Sequence, residues 1–221
     1  MKLNVPMIPQ ARNSVDCGLA MVAMISNYYG EKVTIKDLKE EIKVYKNQGT
    51  YMPQLGIYFL NHGFSVEIIS QDLHLFTLQD RSRSQENLER KLRRLQKEAR
   101  EQNLQYRYID GDANPATRIF GHYTDFLSQG GQITVKIPSE ENIKNEIGSG
   151  RPIGVSLTSC FLYSSTPYLN SHANVVVGIG KRDIFVQDPI WDVGGGRHKY
   201  QIKDYLYAIH ANNGELLCVR K

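Results

Sequence analysis

The stretch that most limits how this chain can fold is CGLAMVAMISNYY, residues 17–29. It is apolar almost all round, so a helix made from it has no face to turn toward water and must be enclosed by other elements. Ser14 and Asp16 precede it as capping candidates, and Gly30 stops it. The downstream segments can supply the enclosure. Thr34 to Val44 reads as an amphipathic helix with Thr34 as its N-cap, and Pro53 to Asn61 as a third helix ended by Gly63. Phe64 to Ile69 alternates as a strand, Gln132 to Ile137 reads as another, and Glu140 to Ile147 is a helix closed by Gly148 and Gly150. Beyond that the segments Ile153–Leu157, Ala173–Ile179, Ile184–Gln187, Lys199–Ile202 and Leu216–Val219 are short, β-branched and separated by Gly, Asn, Asp or Pro. Helices first and strands last predict an α+β fold, N-terminal helices packed on a C-terminal antiparallel sheet, rather than a doubly wound one.

Residues 72–130 interrupt this plan. They hold too few apolar residues to build a core of their own, so the chain is expected to be a single domain, 1–221, carrying a charged helical insertion. A turn-rich stretch, Asp110 to Pro115, and a short helix, Phe120 to Gln129, close it. Between Arg81 and Arg107 lie nine Lys/Arg and four Glu, a net of +5, leaving −1 for the rest of a chain whose total is +4. A uniformly basic nucleic-acid surface is therefore not what the composition describes. Leu88, Leu92, Leu95 and Ala99 fall on one stripe of a helix, and Glu86–Arg90, Glu89–Arg93 and Lys97–Glu101 are i,i+4 partners beside it. Such a helix has two uses: a surface element docked by its leucines, or a basic grip on an acidic partner. No aromatic residue interleaves the basic ones before Tyr106, which argues against nucleic acid stacked on the helix.

The composition, 41% hydrophobic and 23% charged, excludes wholesale disorder and fibrous repeats. The longest apolar run, Leu19 to Ile25, is far short of the roughly 20 residues that span a bilayer. MKLNVPMIPQ lacks the apolar run of a secretory signal, and three cysteines without CxxC spacing suggest neither a disulfide framework nor a zinc ribbon. The expected location is the cytoplasm. The histidines show no HExxH or paired spacing, so neither a metal nor a cofactor is expected. Gly194-Gly195-Gly196 reads as a flexible turn after Trp191 that could edge a cleft, and Ser164-Ser165 lacks the elbow of a serine hydrolase.

Two regions carry chemistry. In VPMIPQARNSVDCGLAMVAM, residues 5–24, Cys17 opens the buried helix, where first-turn N–H groups and the helix dipole stabilise a thiolate. Gly18 leaves room beside the sulfur, and Gln10 offers an amide to a developing oxyanion. Cys17 could equally be a buried cysteine packing as a small hydrophobe. In SHANVVVGIGKRDIFVQDP, residues 171–189, a hairpin with its turn at Gly180–Asp183 returns Asp188 to the neighbourhood of His172, as a base and its orienting partner require. Alone, His172 reads as a satisfied surface histidine and Asp188 as a turn former. Cys160 and Cys218 read as core.

Cysteine on an early helix, then histidine, then a carboxylate on adjacent strands is the order of a papain-like site. Val5-Pro6, Gln10, Asp16-Cys17-Gly18-Leu19-Ala20, His172-Ala173-Asn174-Val175-Val176-Val177-Gly178 and Asp188-Pro189 together resemble the C39-like cysteine peptidases of the papain-like superfamily. The NYYG at Asn27–Gly30 and SGRPIGVSL at Ser149–Leu157 are also similar, so the likeness spans roughly residues 5–70 and 130–190. The resemblance implies a papain-like fold and hydrolysis of a peptide or isopeptide bond in a peptide or protein substrate. Cys17 would be the nucleophile, His172 the general base, Asp188 the orienter, and Gln10 with the Cys17 N–H the oxyanion hole. An acyltransferase or cross-linking enzyme using the same three residues is the first alternative, and a catalytically inactive binding module using the basic helix is the second.

Overall fold

The computed structural model describes residues 1–101, 115–164, 170–192 and 194–221, with backbone alone at 115 and 116. Helix α1 (Cys17–Tyr28) is buried from Gly18 to Ser26 and packs between α2 (Ile35–Glu41), α3 (Met52–Asn61) and the strands β3 (Ile153–Leu157) and β4 (His172–Ile179), as its apolar circumference demands. Gly30 stops it at φ +95°, a left-handed conformation that favours glycine. Neither capping candidate closes its N-terminus through a side chain. Asp16 holds the N-cap position but turns to an ion pair with Lys39 of α2 at 2.7 Å. Thr34 does cap α2, in a reciprocal box with Asp37.

One seven-stranded sheet runs in the order β2 (Gln132–Val135), β1 (Ser65–Ser70), β7 (Leu216–Arg220), β3, β4, β5 (Asp183–Asp188) and β6 (Gly196–Gln201). Every neighbouring pair is antiparallel except β1 with β2, which is parallel. A parallel pair needs a long crossover, and the 72–130 segment supplies it. The segment carries a short 3-10 turn (Leu78–Ser82), α4 (Gln85–Glu101) and α5 (Pro115–Ser128), and α5 starts five residues ahead of the expected Phe120. Leu88, Leu92 and Ala99 of α4 are buried, with Leu95 packed beside them. Phe120, Tyr123 and Phe126 of α5 join the same continuous core. The leucine stripe is thus a docking stripe. The Asp110–Pro115 turn falls, up to residue 114, outside the described residues, as do Tyr106 and Arg107.

Two short elements differ from expectation. The strand expected over Lys199–Ile202 is longer upstream and stops at Gln201, where helix α8 (Ile202–His210) begins at once. A one-turn helix, α7 (Cys160–Tyr163), follows β3. Helix α6 (Glu140–Gly148) and the β4–β5 hairpin lie where the sequence puts them. The N-terminal segment is pinned along the hairpin by Leu3 N–H to Val177 O (2.6 Å) and Gln187 Nε2 to Val5 O (2.6 Å). It ends with Gln10 N–H on Pro189 O (2.8 Å), which delivers Gln10 and then Cys17 to the end of β5.

Candidate active site

Cys17 is the first residue of α1, partly buried, and its neighbour Gly18 is buried. Gly18 lines the cleft over Cys17, and a Cβ there would lie 2.2 Å from Thr50 Oγ1 and 3.0 Å from Leu55 Cδ1, two residues of the same lining. The glycine lets α1 approach the loop before α3. His172 opens β4 and Asp188 ends β5, and the antiparallel register that pairs Val175 with Gln187 brings Asn174 opposite Asp188 and leaves His172 two residues further along β4, diagonal to it. His172 Nε2 donates to Asp188 Oδ1 at 2.7 Å, and both residues are buried. The imidazole also acts on the Cys17 sulfur, through hydrogen bonding and charge. Cys17, His172 and Asp188, far apart in sequence, are thus brought near one another.

The electrostatics of these residues are set by opposing effects. Burial acts to raise the Cys17 thiol, but the hydrogen bond and positive charge of His172, with the N–H groups of Ala173 and Gly18, outweigh it and hold the thiol below its ordinary value. Burial acts to lower His172, and the Asp188 carboxylate and Cys17 sulfur overcome it and lift the imidazole to about 10. Thiolate and imidazolium stabilise each other between those limits. The other cysteines contrast: Cys218 is buried in β7 and burial pushes its thiol far up, while Cys160 is buried in α7.

Gln10 is buried, with its backbone N–H on Pro189 O next to Asp188, and it is not among the residues that line the cleft over Cys17. One hydrogen of its Nε2 is committed to Ser14 O at 2.7 Å, and its Oε1 has no hydrogen-bond partner among the described residues. The second Nε2 hydrogen remains to be given. Asp188 also accepts from Ile190 N–H on Oδ1 at 3.0 Å, so the side chain bonded to His172 also shapes the turn that follows β5. Gly194 and Gly195 fold back on Asp192 in a hydrogen-bonded turn, and neither lines the cleft over Cys17.

That cleft, of about 220 Å³, runs from Cys17, His172 and Ala173 past Ser156 to Glu215, and is closed opposite by Tyr51, Ile119 and Tyr123. Ile119 and Tyr123 come from α5, so the crossover forms one of its walls. Its lining among the described residues includes two carboxylates, Asp72 and Glu215, and neither Lys nor Arg. The Tyr123 hydroxyl donates to Glu215, and burial, with Asp72 nearby, raises that carboxyl to about 7. Sequence reasoning missed Glu215 and also Asn174, which lies within the quoted histidine motif. Asn174 is a fully buried amide between apolar neighbours, and that placement was the available signal.

No group of three or more His, Cys, Asp or Glu among the described residues could hold a metal ion, and none of the described helices is long and apolar enough to cross a membrane. A search of the curated proteins finds no match. Among solved structures the chain is similar to the peptidase domain of Streptococcus ComA, a bi-functional ABC transporter involved in a quorum-sensing pathway. That likeness has 16% identity, 98% of each chain covered and a TM-score of 0.51. It is also similar to a putative C39-like peptidase from Bacillus anthracis, with 14% identity, 100% of this chain and 98% of that one covered, and a TM-score of 0.49. The first likeness shows a shared papain-like fold. The profile of the Peptidase_C39 like family matches residues 2–212, nearly the whole length, and the chain belongs to that family.

Proposed function

We propose that this protein is a cysteine-dependent hydrolase that cleaves a peptide or isopeptide bond through an acyl-thioester on Cys17. The observation that supports the reading is that His172, hydrogen-bonded to Asp188, lines the same cleft as Cys17, with the thiol lowered and the imidazole raised. The Cys17 thiolate attacks the scissile carbonyl carbon, and the carbonyl π pair moves to oxygen. The Cys17 N–H, one of the unpaired donors of the first helical turn, and the second Nε2 hydrogen of Gln10 receive that oxyanion. As the tetrahedral intermediate collapses the C–N bond breaks, and the His172 imidazolium gives its proton to the departing amine. Water, deprotonated by the now neutral imidazole, then attacks the thioester, releasing the acid and restoring the ion pair. Asp188 holds the ring in position throughout.

The substrate is proposed to be a peptide or protein segment laid extended in the cleft. Incubation with a peptide library and mass analysis of products tests this. Turnover is expected for the natural chain and its loss in Cys17→Ala, and turnover retained in that variant would overturn the mechanism. Added amines separate hydrolysis from acyl transfer: products of unchanged mass support water as the acceptor, and amine adducts support transfer.

A further inference from the structure

The Asp188 carboxylate has a buried support on the side away from His172. Asn174, two residues along β4 and fully buried, points its Nδ2 at Asp188 Oδ2 at 3.5 Å. An ionised carboxylate accepts only, so the amide must present nitrogen to Asp188 and oxygen to its other neighbour. That neighbour is Tyr205 of α8, also fully buried, whose hydroxyl donates to Asn174 Oδ1 at 2.6 Å. The phenol cannot readily ionise there, since burial and the Asp188 charge raise it well above its ordinary value, so it stays a donor. Tyr200 of β6 stacks on the Tyr205 ring at 6.2 Å and fixes its plane.

We infer that Asn174 and Tyr205 are positioning residues for the Cys17–His172 pair, an outer hydrogen-bond chain that locks the Asp188 carboxylate in the orientation that serves His172. The inference deepens the hydrolase reading and rests on it. Oδ1 of Asp188 carries both the His172 and Ile190 bonds, so Oδ2 is the oxygen whose fixing prevents the carboxylate from rotating. The groups that face the carboxylate come from three elements, His172 and Asn174 from β4, Tyr200 from β6 and Tyr205 from α8, with Cys17 of α1 beyond His172. The α8 helix, which abuts β6 without a connecting turn, is thereby tied to the reactive end of the sheet.

The test reads the ion pair itself and needs no substrate. The rate of Cys17 alkylation by iodoacetamide is followed against pH in the natural chain, Asn174→Leu, Tyr205→Phe and His172→Ala, with thermal melts as a check on folding. In the natural chain the thiolate–imidazolium window is expected to be wide. In Asn174→Leu its acid edge is expected to move up toward the ordinary thiol range by about one to two pH units, as loss of one donor to a buried charge implies. Tyr205→Phe, which keeps the ring and its stacking, is expected to narrow it in the same sense by less. A folded Asn174→Leu with an unmoved window would overturn the inference, and should that variant not fold, an unmoved window in Tyr205→Phe overturns it alone. A natural chain without any His172-dependent window would overturn both this inference and the reading beneath it.

Discussion

Cys17 gains its reactivity from position rather than from its own chemistry. It shares a chain with two other cysteines, yet only one of the three opens a helix beside a buried histidine–aspartate pair. The thiol is lowered and the imidazole raised, so turnover is expected to show a bell-shaped pH profile. Its acid limb, from protonation of the thiolate, should lie below the ordinary thiol range, and its alkaline limb, from loss of the imidazolium proton, above the ordinary histidine value. A stopped assay across pH 4 to 11 at about 0.1 M salt would show the limbs, and a single limb at the ordinary thiol value would contradict the ion pair. Gln10→Ala is expected to slow turnover by about 10²–10³-fold while leaving Cys17 alkylation unchanged, since the amide serves the oxyanion and not the sulfur. The meeting of His172 with Asp188 was legible in the sequence because the hairpin turn between them returns one strand beside the other. Asn174 was not, because its role depends on a hydroxyl that arrives from α8, 31 residues later.

At the scale of elements, the strands and buried helices obey their hydrophobic periods, and the departures have local causes. Residues 202–210 carry Ile202, Tyr205, Ala208 and Ile209 at helical spacing, all buried, but β6 runs into α8 with no Gly, Pro or Asn to separate them. A β-branched residue at the junction then reads as strand. The parallel pairing of β1 with β2 was hidden because strand partners are chosen by tertiary packing of the crossover, not by either strand's alternation. Glu215, at the start of β7, gives the clearest element-scale prediction. Its carboxyl is raised from the ordinary 4.5 to about 7, chiefly by burial. A raised carboxyl contributes stability that is fully present below its unfolded value and is lost as pH rises through the folded one. Glu215→Gln keeps an acceptor for Tyr123 and carries no proton to lose. Between pH 5 and 8 the natural chain is therefore expected to lose stability relative to this variant by up to about 3 kcal/mol, read by denaturant unfolding. A constant difference across that range would contradict the burial of an ionisable carboxyl there.

The charge of the whole molecule is concentrated on the crossover, where most of it is answered locally. Arg90, Arg93, Arg94 and Lys97 of α4 lie within 4 Å of Glu86, Glu89, Glu98 and Glu101, and Lys91 is bound to the buried Asp80. Exposed pairs of this kind contribute about 0.2–1 kcal/mol each. Reversing Arg90, Arg93 and Arg94 to Glu together is expected to lower the melting midpoint by only a few degrees and to leave Cys17 reactivity untouched. Asp80→Ala, which strands Lys91 against the core, is expected to cost more, about 2–4 kcal/mol by the same melt. The fold thus joins a papain-like sheet to a helical wall over one cleft, and everything proposed for it turns on Cys17. The most direct test is alkylation by iodoacetamide at about pH 6, with peptide mapping of all three cysteines, in the natural chain and in His172→Ala. An ordinary thiol with a pKa near ~8.5 is almost wholly protonated there. Cys17 is expected to react far faster than Cys160 and Cys218, and to lose that advantage in His172→Ala. Equal rates for the three cysteines, or a fast Cys17 that persists without His172, would contradict the thiolate–imidazolium pair.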